Sequence, residues 1–287
     1  MILPASYSNG FAPRDGRPLY PELWRGCVGA AAPCLGPTGL TLRDWSGYAN
    51  HGTLANMVAG DDWGVSGGKY ALDFDGTNDF VTCSSPVLSG AVSQFSASCW
   101  VKTTASDDKS IFAKYYTTTN NRSWLMFIPN AASGATTEFA VNLSSNGAAT
   151  LKSYRTTSVS INTGSWRHIG FSFSSGVLLL YVDGIERATT KTVDGAGSSF
   201  NWPNAIPLTM SAINTLGTPA ALHQCQSDDF MCWNRVVTPR EFAMLASRRG
   251  IAYELAPRRR SRVSVLTSLR YNIFTGNVGS LEVIGAS

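Results

Sequence analysis

The chain has 287 residues, 44% hydrophobic and only 15% charged, with 27 Gly, 13 Pro and 6 Cys, where an ordinary soluble domain carries roughly 25% charge. Low charge with ordinary apolar content excludes a disordered chain. No run approaches the ~18 apolar residues of a membrane-crossing helix, the strongest, Val177–Val182, being strand-sized.

The net charge of +4 is segregated: between Arg248 and Arg270, seven arginines stand against one acid, Glu254, a local +6 that leaves −2 for the rest. Such a run binds nucleic acid or an acidic protein surface, or is simply a solvated linker.

Residues 1–39 contain Pro4, Pro13, Pro18, Pro21, Pro33 and Pro37, which break any periodicity. They predict an extended arm with one helical turn at Pro21-Glu-Leu-Trp-Arg25, where Pro suits the first helical position. Met1–Gly10 has no basic region ahead of a long apolar stretch, so no secretory signal is expected.

From Leu40 to about Thr238 short runs alternate with period two between Gly, Asn, Asp and Ser, the pattern of half-buried strands. Predicted strands include residues 70–75, 80–83, 95–102, 110–115, 124–128 and 138–143. Two more, 166–173 and 177–182, flank a hairpin loop at Ser174-Ser-Gly176. Asp183-Gly184 is the pair a two-residue hairpin prefers, because both central positions need φ > 0. Many strands without intervening helices predict an all-β antiparallel sandwich.

One helix follows at Thr238–Ser247, with Thr as N-cap, Pro first and Glu third, a capping box. Phe242 and Leu245 share its apolar face, and Gly250 ends it. Beyond Pro257, Val263-Ser-Val-Leu and Leu281-Glu-Val-Ile are segments that could add strands to a sheet edge. The predicted organisation is an N-terminal arm over 1–39, a sandwich over 40–247 and an Arg-rich C-terminal arm over 248–287.

Five blocks within residues 40–247 resemble the laminin-G-like branch of the concanavalin A-like jelly rolls. They are Leu42-Arg-Asp-Trp-Ser-Gly-Tyr-Ala-Asn-His-Gly-Thr-Leu54, Ala71-Leu-Asp-Phe-Asp-Gly-Thr-Asn-Asp-Phe-Val81 and Phe95-Ser-Ala-Ser-Cys-Trp-Val-Lys102. Trp166-Arg-His-Ile169 with Leu180-Tyr-Val-Asp-Gly184, and Ser227-Asp-Asp-Phe-Met-Cys-Trp-Asn-Arg-Val-Val-Thr-Pro-Arg-Glu-Phe242, complete the set. Outside this match, Glu22–Pro37 is similar to proteins of tailed bacteriophages and prophages.

The resemblance implies a jelly roll, and enzymes of that fold hydrolyse glycans through paired carboxylates about 5–10 Å apart. The six glutamates (22, 138, 186, 241, 254, 282) are each isolated from a second acid at strand spacing, so a non-enzyme is expected. Gly64-Val-Ser-Gly-Gly68 matches a nucleophile elbow formally, but that motif works on a strand-to-helix turn, and here a strand follows. His51, His168 and His223 lack zinc spacing; His51 is expected to bond a turn.

Related jelly rolls often hold a structural Ca²⁺, for which Asp75, Asn78, Asp79 and Asp228 are the candidate ligands. The alternative is that these residues cap turns. Trp63, Tyr115, Tyr116 and Trp202 are candidates for stacking on sugars, or they pack locally. Cys83 and Cys99 read as small buried hydrophobes, and all six cysteines are expected as free thiols.

The resemblances together lead to a bacteriophage virion protein, a capsid decoration first and a tail or fibre component second. The alternative is a carbohydrate-binding adhesion module or free glycan-binding protein. Expected partners are the major capsid protein or other virion subunits, held by Arg258, Arg259, Arg260 and Arg262, and glycans; neither membrane nor nucleic acid is expected. Self-association is expected too, as a trimer, because three-fold positions are common on icosahedral shells.

Overall fold

The computed structural model describes residues 16–83, 90–116, 121–133, 135–148, 150–197, 200–202, 206–215 and 218–256, all within the unit that ends at Pro257. The tail segments at 263 and 281 and the four tail arginines lie outside the described residues.

In chain order the strands are β1 (Cys27–Ala31), β2 (Thr41–Leu42), β3 (Gly52–Ala55), β4 (Trp63–Ser66), β5 (Lys69–Asp75), β6 (Phe80–Cys83) and β7 (Gly90–Val92). Then come β8 (Gln94–Lys102), β9 (Lys109–Tyr116), β10 (Asn121–Ile128), β11 (Glu138–Ser144), β12 (Thr150–Ser160), β13 (Arg167–Ser174) and β14 (Val177–Val182). The last are β15 (Ile185–Glu186), β16 (Thr189–Asp194), β17 (Phe200–Trp202), β18 (Leu208–Met210), β19 (Ile213–Thr215), β20 (Thr218–Ala220) and β21 (Gln224–Trp233). The smaller sheet runs β15-β14-β13-β8-β21-β5-β4, with β1 also on β21; the larger runs β16-β12-β11-β10-β9-β18-β6-β3-β2.

Alternation explains the two layers. On β8, Phe95, Ala97, Cys99 and Val101 enter the main core, so Ser96, Ser98, Trp100 and Lys102 point to the other face. Phe171 of β13 and Trp202 of β17 meet Phe95 edge-on, with ring centroids 5.1 and 4.7 Å away. Each such buried ring contributes about 1.5–3 kcal/mol by area.

The local turns follow the sequence. Ser175 and Gly176 have φ of 51° and 84°, Asp183 and Gly184 54° and 74°, as paired φ > 0 turns require. Helix α1 (Pro239–Leu245) has its capping box: Glu241 N–H donates to the Thr238 hydroxyl, and Thr238 N–H donates to Glu241 Oε2 at 2.8 Å. Phe242 stacks on Tyr181 with centroids 4.0 Å apart, seating the helix on the outer face of the smaller sheet.

The expected N-terminal arm does not hold for residues 16–39. Pro21–Trp24 form a short 3-10 turn, and β1 pairs antiparallel with β21. Leu23, Trp24 and Cys27 join Trp45, Tyr181, Trp233, Phe242 and Tyr253 in a second apolar cluster. The prolines delimit short packed elements instead of leaving the chain extended, because Leu23 and Trp24 have apolar surface to bury. Residues 248–256 are likewise part of the folded unit: Ile251–Tyr253 are buried, and Leu19 N–H donates to Glu254 O at 2.7 Å.

Candidate functional site

The first resemblance block is a hydrogen-bond knot. Asp44 Oδ1 accepts from the N–H groups of Ala30 (2.8 Å) and Ser46 (3.0 Å). Its Oδ2 accepts from the Ser46 hydroxyl (2.7 Å) and Asn50 N–H (2.8 Å). Asn50 Nδ2 donates to Val28 O at 2.7 Å, and His51 Nδ1 accepts from Asp44 N–H at 3.0 Å. The bonds to Ala30 and Val28 fasten the loop to β1 and the others hold the loop together.

The four proposed calcium ligands do not form one site. Asp75 Oδ1 accepts from the N–H groups of Thr77, Asn78 and Asp79, and Asp79 Oδ2 accepts from Asp75 N–H. One oxygen of each carboxylate is thus taken by backbone N–H groups, and the pair caps the turn that follows β5. Asp228 lies on β21 four residues beyond Gln224, the partner of Asp75, roughly 13 Å along the strand.

Asp228 instead belongs with Cys34 and Asp229, whose ligand-capable atoms lie within 4.8 Å of one another, the one such group found among the described residues. Asp228 Oδ1 accepts from Cys34 N–H at 2.8 Å, Asp229 Oδ2 accepts from Gly250 N–H, and Arg249 Nε stands 3.7 Å from Asp228 Oδ2. Burial, then the neighbouring Asp229, pushes the Asp228 carboxyl well above the usual carboxylate range. With Arg249 already beside it, this cluster ties the segments at Cys34 and Gly250 to β21.

The four aromatic candidates for sugar stacking are buried. Trp63, Tyr116 and Trp202 are 5%, 6% and 2% exposed. Trp63 and Trp202 belong to the main core, where their indole N–H groups donate to Gly39 O and Ser144 O. Large rings at the ends of short strands gain more by burial between the sheets than by display. Tyr115 does lie on the outer face of the larger sheet, but packed beside Ala113, Leu125 and Ile213 at 7% exposure.

Other reactive groups are closed off. All six cysteines are free, and burial pushes the Cys83 and Cys225 thiols up to about 12. Burial lowers His168 to about 3, and burial followed by Lys109 lowers His223 to about 3. Gly64–Gly68 is the β4–β5 hairpin, with Gly67 and Gly68 at φ 60° and 75°.

The register brings together a face that sequence reading missed. One row crosses the larger sheet from Thr41 through Thr53, Thr82, Thr209, Ala113, Leu125, Asn142 and Ser153 to Val193. In the next row Ala140 sits between Phe127 and Arg155, a notch with a methyl floor. Phe127, Asn142, Ser153 and Arg155 are half-buried around it. Asn142 Oδ1 and Arg155 Nε are buried there without a hydrogen-bond partner. Glu138, the carboxylate on this face, is ion-paired to Arg155 and accepts from Ser158 N–H at 3.0 Å.

A family model described as the concanavalin A-like lectin/glucanases superfamily matches residues 75–243. The chain belongs to that superfamily.

No curated protein matches the sequence. Among solved structures, domain 4 of a GH43 extracellular arabinanase from Geobacillus stearothermophilus, in complex with arabinotriose, is similar at TM-score 0.55 and 17% identity. The match covers 77% of this chain and 98% of that one. The binding domain of botulinum neurotoxin DC in complex with SialylT gives TM-score 0.54 at 14% identity, over 78% and 52%. A mutant Trypanosoma rangeli sialidase displaying trans-sialidase activity gives 0.53 at 12%, over 79% and 34%.

This superfamily member thus spans nearly all of the arabinanase domain, half of the toxin domain and a third of the sialidase. At such identities the likeness is one of fold. Among the described residues no helix is long and apolar enough to cross a membrane.

Proposed function

We propose that this superfamily member binds glycans without cleaving them, on the outer face of the larger sheet. The observation that carries the reading is the notch over Ala140, bordered by half-buried Phe127, Asn142, Ser153 and Arg155, with Asn142 Oδ1 and Arg155 Nε buried there and unpaired. Few placed polar groups beside apolar surface are what orient a sugar. Hydrolysis needs two carboxyl groups in opposed roles, and Glu138 is held in an ion pair instead. Arabinotriose and SialylT bound to the similar domains support the same class of ligand.

The finer reading is a bacteriophage virion protein, a capsid decoration displaying this lectin-like domain. The phage-like stretch Glu22–Pro37 and the arginine-rich segment after Pro257 support it. A glycan array with the full chain tests the binding. Competable binding lost in Arg155→Ala and Asn142→Ala is expected, and a silent array overturns it. Mass spectrometry of purified particles tests the location: a copy number near a simple fraction of the capsid count supports decoration, a few copies support tail or fibre, and absence removes the virion role.

A further inference from the structure

The outer face of the smaller sheet carries a second constellation, unrelated to the notch over Ala140. The register sets Asp73, Gln226 and Lys102 side by side on β5, β21 and β8, with side chains turned away from the core. Gln226 Nε2 donates to Asp73 Oδ2 at 2.9 Å, and its own Oε1 is buried without a partner. Lys102 Nζ makes one long bond, 3.4 Å, to the Ser66 hydroxyl.

Two features keep this row open on one side and walled on the other. On β4, a Cβ added to Gly64 would stand 3.5 Å from Asp73 Oδ2 and 3.7 Å from Gln226 Nε2, so the glycine leaves uncovered the space that any larger residue would fill. Opposite, Trp166 is half-buried. Its indole N–H donates to Ser66 Oγ at 3.2 Å, and the Arg249 guanidinium lies 4.1 Å from the ring centroid. The indole is therefore held in one orientation before any ligand arrives, which lowers the entropy lost on binding.

We propose that Gly64, Ser66, Asp73, Lys102, Trp166 and Gln226 form a separate groove for a neutral carbohydrate. Neighbouring strands are about 4.8 Å apart. A carboxylate, an amide carbonyl and an ammonium on three of them place two acceptors and a donor in one row, and sugar hydroxyls both donate and accept. Trp166 offers the apolar edge that sugar C–H groups pack against. An anionic ligand meets Asp73 and a cationic one meets Lys102, so the pairing favours an uncharged polyol.

The test is isothermal titration of the full chain with maltotriose, cellotriose and galactotriose, with sialyllactose as charged control. At least one neutral trisaccharide is expected to bind, about tenfold more weakly in Gly64→Val, which fills the groove from the edge strand β4, and in Asp73→Asn. Ile185→Ser, at an exposed position on β15 outside both sites, is expected to leave that affinity unchanged, which ties the loss to the groove. Thermal melts establish that each variant is folded. Failure of all three neutral sugars to bind, or binding indifferent to Gly64→Val, overturns the proposal.

Discussion

Replacing Asp44 by Asn changes almost no volume and isolates the knot at the start of the domain. The amide keeps one oxygen, which still accepts from Ala30 and Ser46 N–H. The new NH₂ stands where Oδ2 accepted from the Ser46 hydroxyl and Asn50 N–H. The hydroxyl rotates to accept instead, but Asn50 N–H faces a donor. Leaving that group unpaired costs about 1–3 kcal/mol, and the remaining bonds fall from charge-assisted to neutral, losing roughly 1 kcal/mol more.

The expected loss for Asp44→Asn is therefore about 2–4 kcal/mol, with Asp44→Ala at or above the upper end. Urea unfolding followed by tryptophan fluorescence measures it, with the midpoint shifted and the slope preserved. A loss below about 0.5 kcal/mol would show that the knot does not hold β1. Unchanged stability together with lost glycan binding would move Asp44 from scaffold to site.

Lys114 is fully buried, and burial lowers it to about 8 from 10.5. Between those values the unfolded chain holds the extra proton, so this group's contribution rises with pH. The stability of Lys114→Met relative to the parent chain is expected to fall from pH 7 towards pH 10, as the parent's buried amine ceases to be charged; a difference independent of pH refutes the account. His168 and His223, lowered to about 3, are neutral when folded, so stability should fall as pH drops from 6.5 towards 3. His168→Gln should flatten that fall in acid titrations monitored by circular dichroism, and an unchanged profile would count against it. Gly184 has φ +74°, and a Cβ there would lie 2.7 Å from Ala243 Cα. Gly184→Ala should cost about 2–4 kcal/mol, read as a melting temperature roughly 5–15 °C lower; a drop under about 2 °C would mean α1 moves aside freely.

The elements legible in the sequence are those decided within a few residues. The Thr238–Glu241 capping box, the Asp183-Gly184 turn and the alternation of 95–102 each depend on side chains adjacent in the chain, and the structure has them as read. The jelly-roll resemblance was legible because its five blocks keep their order. Residues 16–39 misled because proline punctuates packed and extended segments alike. What distinguishes them is whether Leu23 and Trp24 find a surface, here built from Trp233, Tyr181 and Tyr253.

Trp63, Tyr116 and Trp202 misled for a related reason: an aromatic near a loop reads the same whether it faces water or the sandwich interior. Asn142 and Arg155 left no signal at all. They are thirteen positions apart on β11 and β12, and they share a face with Phe127 only through the pairing of three strands. The same holds for Asp73, Lys102 and Gln226. By itself the sequence determined strand, turn and cap, which are settled by local conformational preference and side-chain alternation. Tertiary structure alone decided which strands lie side by side and in what register, because pairing between distant segments is chosen by how the whole core packs, and both candidate binding faces are consequences of that choice.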